Sequence, residues 1–138
     1  ACKELGMTYM AYSPLGRSML TGAVQSMDDL PEGDRRRSHP RFHEDNLPKN
    51  VTLVNALQDV SAKHNCSPSQ VAIAWVMAQG EYIVPIPGTK QRKHLKDNIA
   101  AADLSLDSDD LKALGDVFKP GATAGTRYPE KQLGPLNI

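Results

Sequence analysis

The 138-residue sequence has no excess charge of either sign, few aromatic residues and only two cysteines. Sixteen basic residues balance sixteen acidic ones, so no nucleic-acid or anionic-membrane partner is indicated, and charge recognition must be local. Cys2 and Cys66 lie far apart, in no metal-binding or redox spacing, and neither a signal peptide nor a long apolar run is present. We therefore expect one domain in a reducing, cytoplasmic setting.

The most informative stretch, residues 82–98, reads as a short apolar strand followed by a turn and a helix. Gly88 allows a ligand to approach the backbone, and Thr89 is expected to be the helix N-cap. Three basic residues then fall in the first helical turn, namely Lys90, Arg92 and Lys93. Cations there oppose the helix dipole by roughly 0.3–1 kcal/mol each, which a bound phosphate would offset. The alternative interpretation is a solvated basic turn.

The other segments alternate between extended and helical patterns. Strands are predicted over residues 7–12 and 82–86. Apolar spacing predicts helices over 51–64, over 71–78 after a capping box begun by Ser67, from the basic turn to Ala102, and from Asp107 to Phe118. Residues 1–6 resemble the last turn of a helix, so we expect the chain to begin within an element. The tail after Lys119 is predicted to be coil.

Residues 17–50 are too long and too polar for an ordinary connection. The basic run Arg35 to Arg37 and the segment His39 to His43 would form either a solvated surface or a flap over an anionic ligand. His39 and His43 have a spacing seen in metal-binding helices, but Pro40 between them argues against a metal site.

Two strands separated by helices are expected to be parallel, because a crossover of this length ordinarily contains a helix. Parallel sheets are normally buried on both faces, and two strands cannot cover their own edges. The only further strand candidate is the brief segment Leu104-Ser105-Leu106. The sequence therefore predicts a piece of a larger α/β sheet or barrel. A chain that pairs with another copy of itself is the alternative.

Two motifs resemble the C-terminal part of the aldo-keto reductases, namely Ala11-Tyr12-Ser13-Pro14-Leu15-Gly16-Arg17 with Leu20-Thr21-Gly22, and Ile86-Pro87-Gly88-Thr89-Lys90 with Asp97-Asn98. The tail 125–129 is similar to that of bacterial, fungal and plant members acting on small aldehydes and ketones. The resemblance implies that residues 1–138 are the C-terminal portion of a (β/α)8 TIM barrel, with about two parallel strands and four or five helices. The upstream remainder of the barrel would then be required.

The resemblance also implies a site for NADPH or NADP+ built from both motifs. Tyr12 would stack on the nicotinamide ring. Without the resemblance, the alternative interpretation of Tyr12 is a core tyrosine at the end of a strand. The residues implied to line the pyrophosphate are Ser13, Pro14, Leu15, Gly16 and Arg17. The residues implied to bind the 2′-phosphate are Gly88, Thr89 and Lys90. Those implied to lie near the ribose and adenine are His94, Asp97 and Asn98. Many family members carry lysine at the Gly88 position and arginine at the His94 position.

No catalytic residue is predicted in this chain, because the family's Asp, Tyr, Lys and His set precedes the Tyr12 motif. The resemblance implies the cofactor-binding portion of an NADPH-dependent oxidoreductase that reduces a small-molecule carbonyl substrate, aldehyde or ketone, to an alcohol. A nucleotide-binding regulatory subunit of the potassium-channel β-subunit type is the alternative, as is a non-catalytic fragment.

Overall fold

The computed structural model describes residues 1–134. In chain order these form strand β1 (Tyr9–Tyr12), helices α1 (Leu47–Lys63) and α2 (Pro68–Met77), strand β2 (Ile83–Ile86), and helices α3 (Arg92–Ala100) and α4 (Ser108–Val117). Before β1, the predicted turn is closed by the Met7 N–H, which donates to the Cys2 carbonyl at 2.9 Å. None of the helices in the described residues is both long enough and apolar enough to cross a membrane.

Strands β1 and β2 pair in parallel, in a register that runs from Tyr9 opposite Ile83 to Tyr12 opposite Ile86. This confirms the predicted parallel pair, with α1 and α2 in the crossover between the strands. Because the strands run in the same direction, the loops that follow Tyr12 and Ile86 leave the sheet at the same edge. The pairing therefore brings the two sequence motifs side by side.

Helix α1 buries the predicted apolar stripe, with Val54, Leu57 and Val60 in the interior. The helix begins at Leu47 rather than near Val51, because a proline is compatible with the first helical turn. Its C-cap is His64, where the sequence predicted the end.

Helix α2 starts with the predicted capping box. The Gln70 N–H donates to Ser67 Oγ at 3.3 Å, and the Ser67 N–H donates to Gln70 Oε1 at 2.9 Å. Residues 71–74 are buried, since α2 packs against α1, β2 and α3. A helix that is apolar nearly all round is thus covered on several sides.

Helix α4 is fixed to the end of α1 by a charged cluster. The N-cap Asp107 accepts the N–H groups of residues 109 and 110, and Lys63 Nζ donates to Asp107 at 2.7 Å and to Asp110 at 2.8 Å. His64 Nε2 lies 2.6 Å from the second carboxylate oxygen of Asp110. Burial raises the pKa of Asp110, but the hydrogen bonds from Lys63 and His64 outweigh burial and lower it overall.

Residues 17–50 form an ordered cover on α1 rather than a polar loop. The stretch contains 3₁₀ turns at Met19–Thr21, Met27–Asp29, Arg35–Ser38 and Pro40–Phe42. Its sparse apolar side chains join the start of α1 in one buried cluster, made of Met19, Val24, Leu30, Phe42, Leu47 and Val54. Because these hydrophobic residues follow neither a helical nor a strand period, this packing was not predicted from the sequence.

Two predicted details are wrong. Residues 104–106 form no strand; Leu104 and Leu106 instead pack against the buried cluster shared by α1, α2 and α4. Helix α3 ends at Ala100 and continues as a 3₁₀ turn. Its apolar side chains Leu95 and Ile99 are 50% and 63% exposed.

Candidate functional site

Several residues in the loop after β1 have a left-handed backbone conformation. Four of its residues have positive φ, at 52° for Ser13, 55° for Gly16, 56° for Arg17 and 73° for Ser18. For the three that are not glycine, this conformation costs of order 1–3 kcal/mol each. Such strain clusters at ligand-binding segments, so the geometry supports a functional role for this loop.

The loop after β2 differs from the prediction at the helix start. Gln91, not Thr89, is the N-cap of α3, which begins at Arg92. The Thr89 hydroxyl accepts the Gln91 N–H at 3.1 Å, a local turn that competes with helix formation and delays the helix by two residues. Lys90 therefore precedes the helix, while Arg92 and Lys93 remain in its first turn, which contains no acidic residue.

Residues of both loops line one groove of about 310 Å³, here called the loop groove. Its lining comprises Leu15, Ser18, Thr21 and Ala23 near β1, Ser67 and Ser69 at the start of α2, and Gly88, Thr89, Lys93, His94, Asp97 and Asn98 near β2 and α3. A second cavity of about 260 Å³ adjoins it, lined by Ser13, Pro14, Leu15, Arg17, Ser18, Pro87 and Gly88. Leu15, Ser18 and Gly88 line both, so the two cavities lie side by side.

The predicted site residues are largely brought together. The loop groove is lined by Leu15, Gly88, Thr89, His94, Asp97 and Asn98, and the adjoining cavity by Ser13, Pro14 and Arg17. Tyr12 and Gly16 line a third hollow beside Arg17. Lys90 is exposed and lines none of the three.

The sequence missed several polar lining residues. Ser18 and Thr21 carried no signal beyond the motif, and Ser67 and Ser69 were interpreted only as a helix start. With Lys93 and His94 at one side and hydroxyl groups at the other, the groove suits an anionic ligand rich in hydroxyl groups.

Tyr12 lies at the end of β1 in contact with the tail. The Tyr12 hydroxyl accepts a hydrogen bond from Arg127 Nη1 at 3.0 Å and lies 3.4 Å from the Tyr128 hydroxyl. The hydrogen bond with Tyr12, together with the nearby guanidinium groups of Arg17 and Arg127, lowers the pKa of Tyr128. Because Tyr12 is 46% exposed, it is not a core residue of the described chain. Residues 1–134 contain no group of three or more side chains placed to hold a metal ion.

Comparison with known proteins gives the family. The model of the aldo/keto reductase family matches residues 1–118. The chain is 42% identical over 129 residues to aldo-keto reductase yakc of Schizosaccharomyces pombe, a name that includes NADP(+), covering 94% of the chain and 38% of that protein. It is 42% identical over 125 residues to aldo-keto reductase str7 of Strobilurus tenacellus, covering 91% of the chain and 37% of that protein.

Two further comparisons agree. The chain is 39% identical over 127 residues to probable aldo-keto reductase 1 of Glycine max, covering 92% of the chain and 36% of that protein. The crystal structure of a thermostable aldo-keto reductase in complex with the inhibitor epalrestat matches with a TM-score of 0.58 at 23% identity, covering 84% of this chain and 31% of its own, a likeness of fold alone. The chain thus spans 36–38% of the length of the curated relatives it matches. It belongs to the aldo/keto reductase family of oxidoreductases.

Proposed function

We propose that this chain is the C-terminal, cofactor-binding portion of an NADPH-dependent aldo-keto reductase that reduces aldehydes or ketones to alcohols. The observation that carries the proposal is the pair of adjacent cavities, the loop groove and the cavity that contains Arg17, which residues of both motifs line. Parallel strands that end at one edge place both loops where α/β barrels bind their ligands.

The exposed apolar surface supports a larger parent domain. Met10 and Val84 on the two strands are exposed, as are Leu95 and Ile99 on α3. Large exposed apolar patches are uncommon on independent soluble domains, and a two-stranded parallel sheet leaves unpaired edges. The missing strands and helices of a barrel would cover both, and the proton donor for the carbonyl oxygen would lie in that part.

The groove fits a phosphorylated dinucleotide. Lys93 and His94 lie beside Gly88, whose position has no atom within 4 Å of an added Cβ, so the backbone is open to a ligand there. We assign this end to the 2′-phosphate, with Asp97 and Asn98 at the ribose and adenine. Bound NADPH would supply the hydride. The residues of this chain would hold and orient it, with Tyr12 against the nicotinamide ring.

The test uses the full-length protein that contains these residues. Binding of NADPH and NADH is followed by quenching of protein fluorescence, and turnover by loss of NADPH absorbance with a simple aldehyde. Lys93→Gln should weaken NADPH binding about tenfold, equivalent to about 1.4 kcal/mol, and leave NADH binding nearly unchanged. The control Lys96→Gln removes an exposed lysine from the same helix and should change neither.

Absence of both NADPH binding and turnover would contradict the proposal. Equal losses of NADPH and NADH affinity in Lys93→Gln would contradict the assignment of the phosphate. NADPH binding without turnover would instead favour the regulatory-subunit alternative.

A further inference from the structure

The third hollow, of about 170 Å³, holds two arginines that neither of the other two cavities contains. Arg41 comes from the Pro40–Phe42 turn and Arg127 from the tail, and neither lines the loop groove or the adjoining cavity. Arg17 lines the hollow as well. None of the three arginines forms an ion pair with a carboxylate in residues 1–134. The hollow therefore has a positive charge without a local counter-charge.

Two buried nitrogen atoms beside this hollow lack a partner. Arg41 Nε and His39 Nδ1 are buried and have no hydrogen-bond partner in the part of the chain that the structure describes. Both side chains line a smaller cavity of about 100 Å³, which Arg17 and Arg127 also line. Burial, followed by the positive charges of Arg127 and Arg17, lowers the pKa of Arg41. A buried charged donor without an acceptor is costly, so an oxyanion bound by Arg41 would be stabilising.

Arg127 is held at the end of β1 by an aromatic side chain. Its Nη1 donates to the Tyr12 hydroxyl at 3.0 Å, and its Cζ lies 5.6 Å from the centroid of the Tyr12 ring. A guanidinium has five N–H donors, so this contact leaves others free for a ligand.

Buried Asn50 connects the two stretches that carry Arg41 and Arg127. Its Nδ2 donates to the carbonyls of Arg41 and Ala124 at 2.9 Å each, and its Oδ1 accepts the Ala124 N–H at 2.8 Å. The backbone near both arginines is thus fixed to α1, which favours a preformed site over a chance approach of surface side chains.

The position of the hollow separates it from the phosphates of the cofactor. Its lining includes Tyr9, Ala11 and Tyr12 of β1 and no residue of β2, of α3 or of the loop between them. Lys93, to which we assign the 2′-phosphate, lies in the loop groove instead. Under the proposed function Tyr12 lies against the nicotinamide, the ring that a carbonyl substrate must reach. An anion bound by Arg41 and Arg127 would therefore lie at the substrate end of the site.

We propose that Arg41 and Arg127 bind the carboxylate of an anionic carbonyl substrate, an inference that rests on the proposed function. The planar guanidinium group matches a carboxylate, to which it can donate two parallel hydrogen bonds. Tyr9 and Ala11 offer apolar surface beside the charges for the carbon skeleton. The carboxylate itself does not react. The carbonyl group of the same molecule gains a hydride at carbon and a proton at oxygen, and becomes an alcohol.

The experiment compares two aldehydes of nearly equal shape, 4-formylbenzoate and 4-formylbenzamide, as substrates of the full-length protein with NADPH. The wild type should have a kcat/KM about tenfold higher for the carboxylate, the effect of one charge-assisted hydrogen bond. Arg41→Gln and Arg127→Gln should each remove most of this preference, chiefly through KM for 4-formylbenzoate. Arg41→Lys and Arg127→Lys should retain part of it. The control Arg35→Gln removes an exposed arginine from the same basic stretch and should keep the wild-type preference.

Equal kcat/KM values for the two aldehydes in the wild type would overturn the substrate assignment and leave the proposed function standing. An unaltered preference in both glutamine variants would overturn it as well. So would an unaltered preference with weakened NADPH binding, which would assign the arginines to the cofactor. Absence of NADPH oxidation with either aldehyde would instead contradict the proposed function, and the substrate assignment with it.

Discussion

Replacement of Asn50 by alanine should release the cover of residues 17–50 and the tail from α1 together. Asn50 is 1% exposed and makes three hydrogen bonds with its side chain, one to the Arg41 carbonyl and two to the backbone of Ala124. Truncation leaves a buried N–H and two buried carbonyls to find new partners, and each such group costs about 1–3 kcal/mol. Since carbonyls tolerate a lost bond better than N–H groups, we expect a total loss of about 3–5 kcal/mol.

The matched control is Asn55→Ala, on the exposed side of the same helix, which should change stability by about 0.5 kcal/mol or less. Urea unfolding of the full-length protein, followed by circular dichroism, compares the two variants. Equal unfolding midpoints for the two variants would refute this account of Asn50.

Two other predictions concern charge and steric fit. The hydrogen bond from Lys63 lowers the pKa of Asp107 to about 2, so the pair's stabilisation is present above the unfolded aspartate pKa of about 4 and is lost as pH falls toward 2. Asp107→Asn, which preserves a good N-cap, should reduce the fall in melting temperature between pH 4 and pH 2. If Asp107→Asn reduces that fall equally in a chain that already carries Lys63→Gln, the result would count against the pairing. Gly125→Ala should cost about 1–3 kcal/mol more than Gly121→Ala in urea unfolding, because both glycines have positive φ but only the Cβ at Gly125 would lie 2.8 Å from the Pro40 carbonyl. Equal losses would show that backbone strain alone matters.

The regular elements could be predicted because their signals are local. The capping boxes at Ser67 and Asp107 and the apolar spacing of Val54, Leu57 and Val60 each depend on residues within one or two helical turns. The start of α3 was misplaced because Thr89 can either cap a helix or close a turn on Gln91, and the two alternatives have the same sequence pattern.

The candidate site also has a part that local sequence motifs predict and a part that only the tertiary structure brings together. The two motifs, Tyr12 to Arg17 and Gly88 to Asn98, are contiguous, so the sequence by itself determined most of the candidate residues, together with the parallel pairing that sets their loops at one edge. Only the tertiary structure decided that the polar stretch 17–50 packs on α1 and that the tail returns to Tyr12. Arg41 and Arg127 line the same hollow as Arg17, although they are 86 residues apart in the chain and share no sequence pattern with it. Their meeting depends on Asn50, whose buried amide satisfies two distant backbone segments at once, a condition that no local propensity encodes.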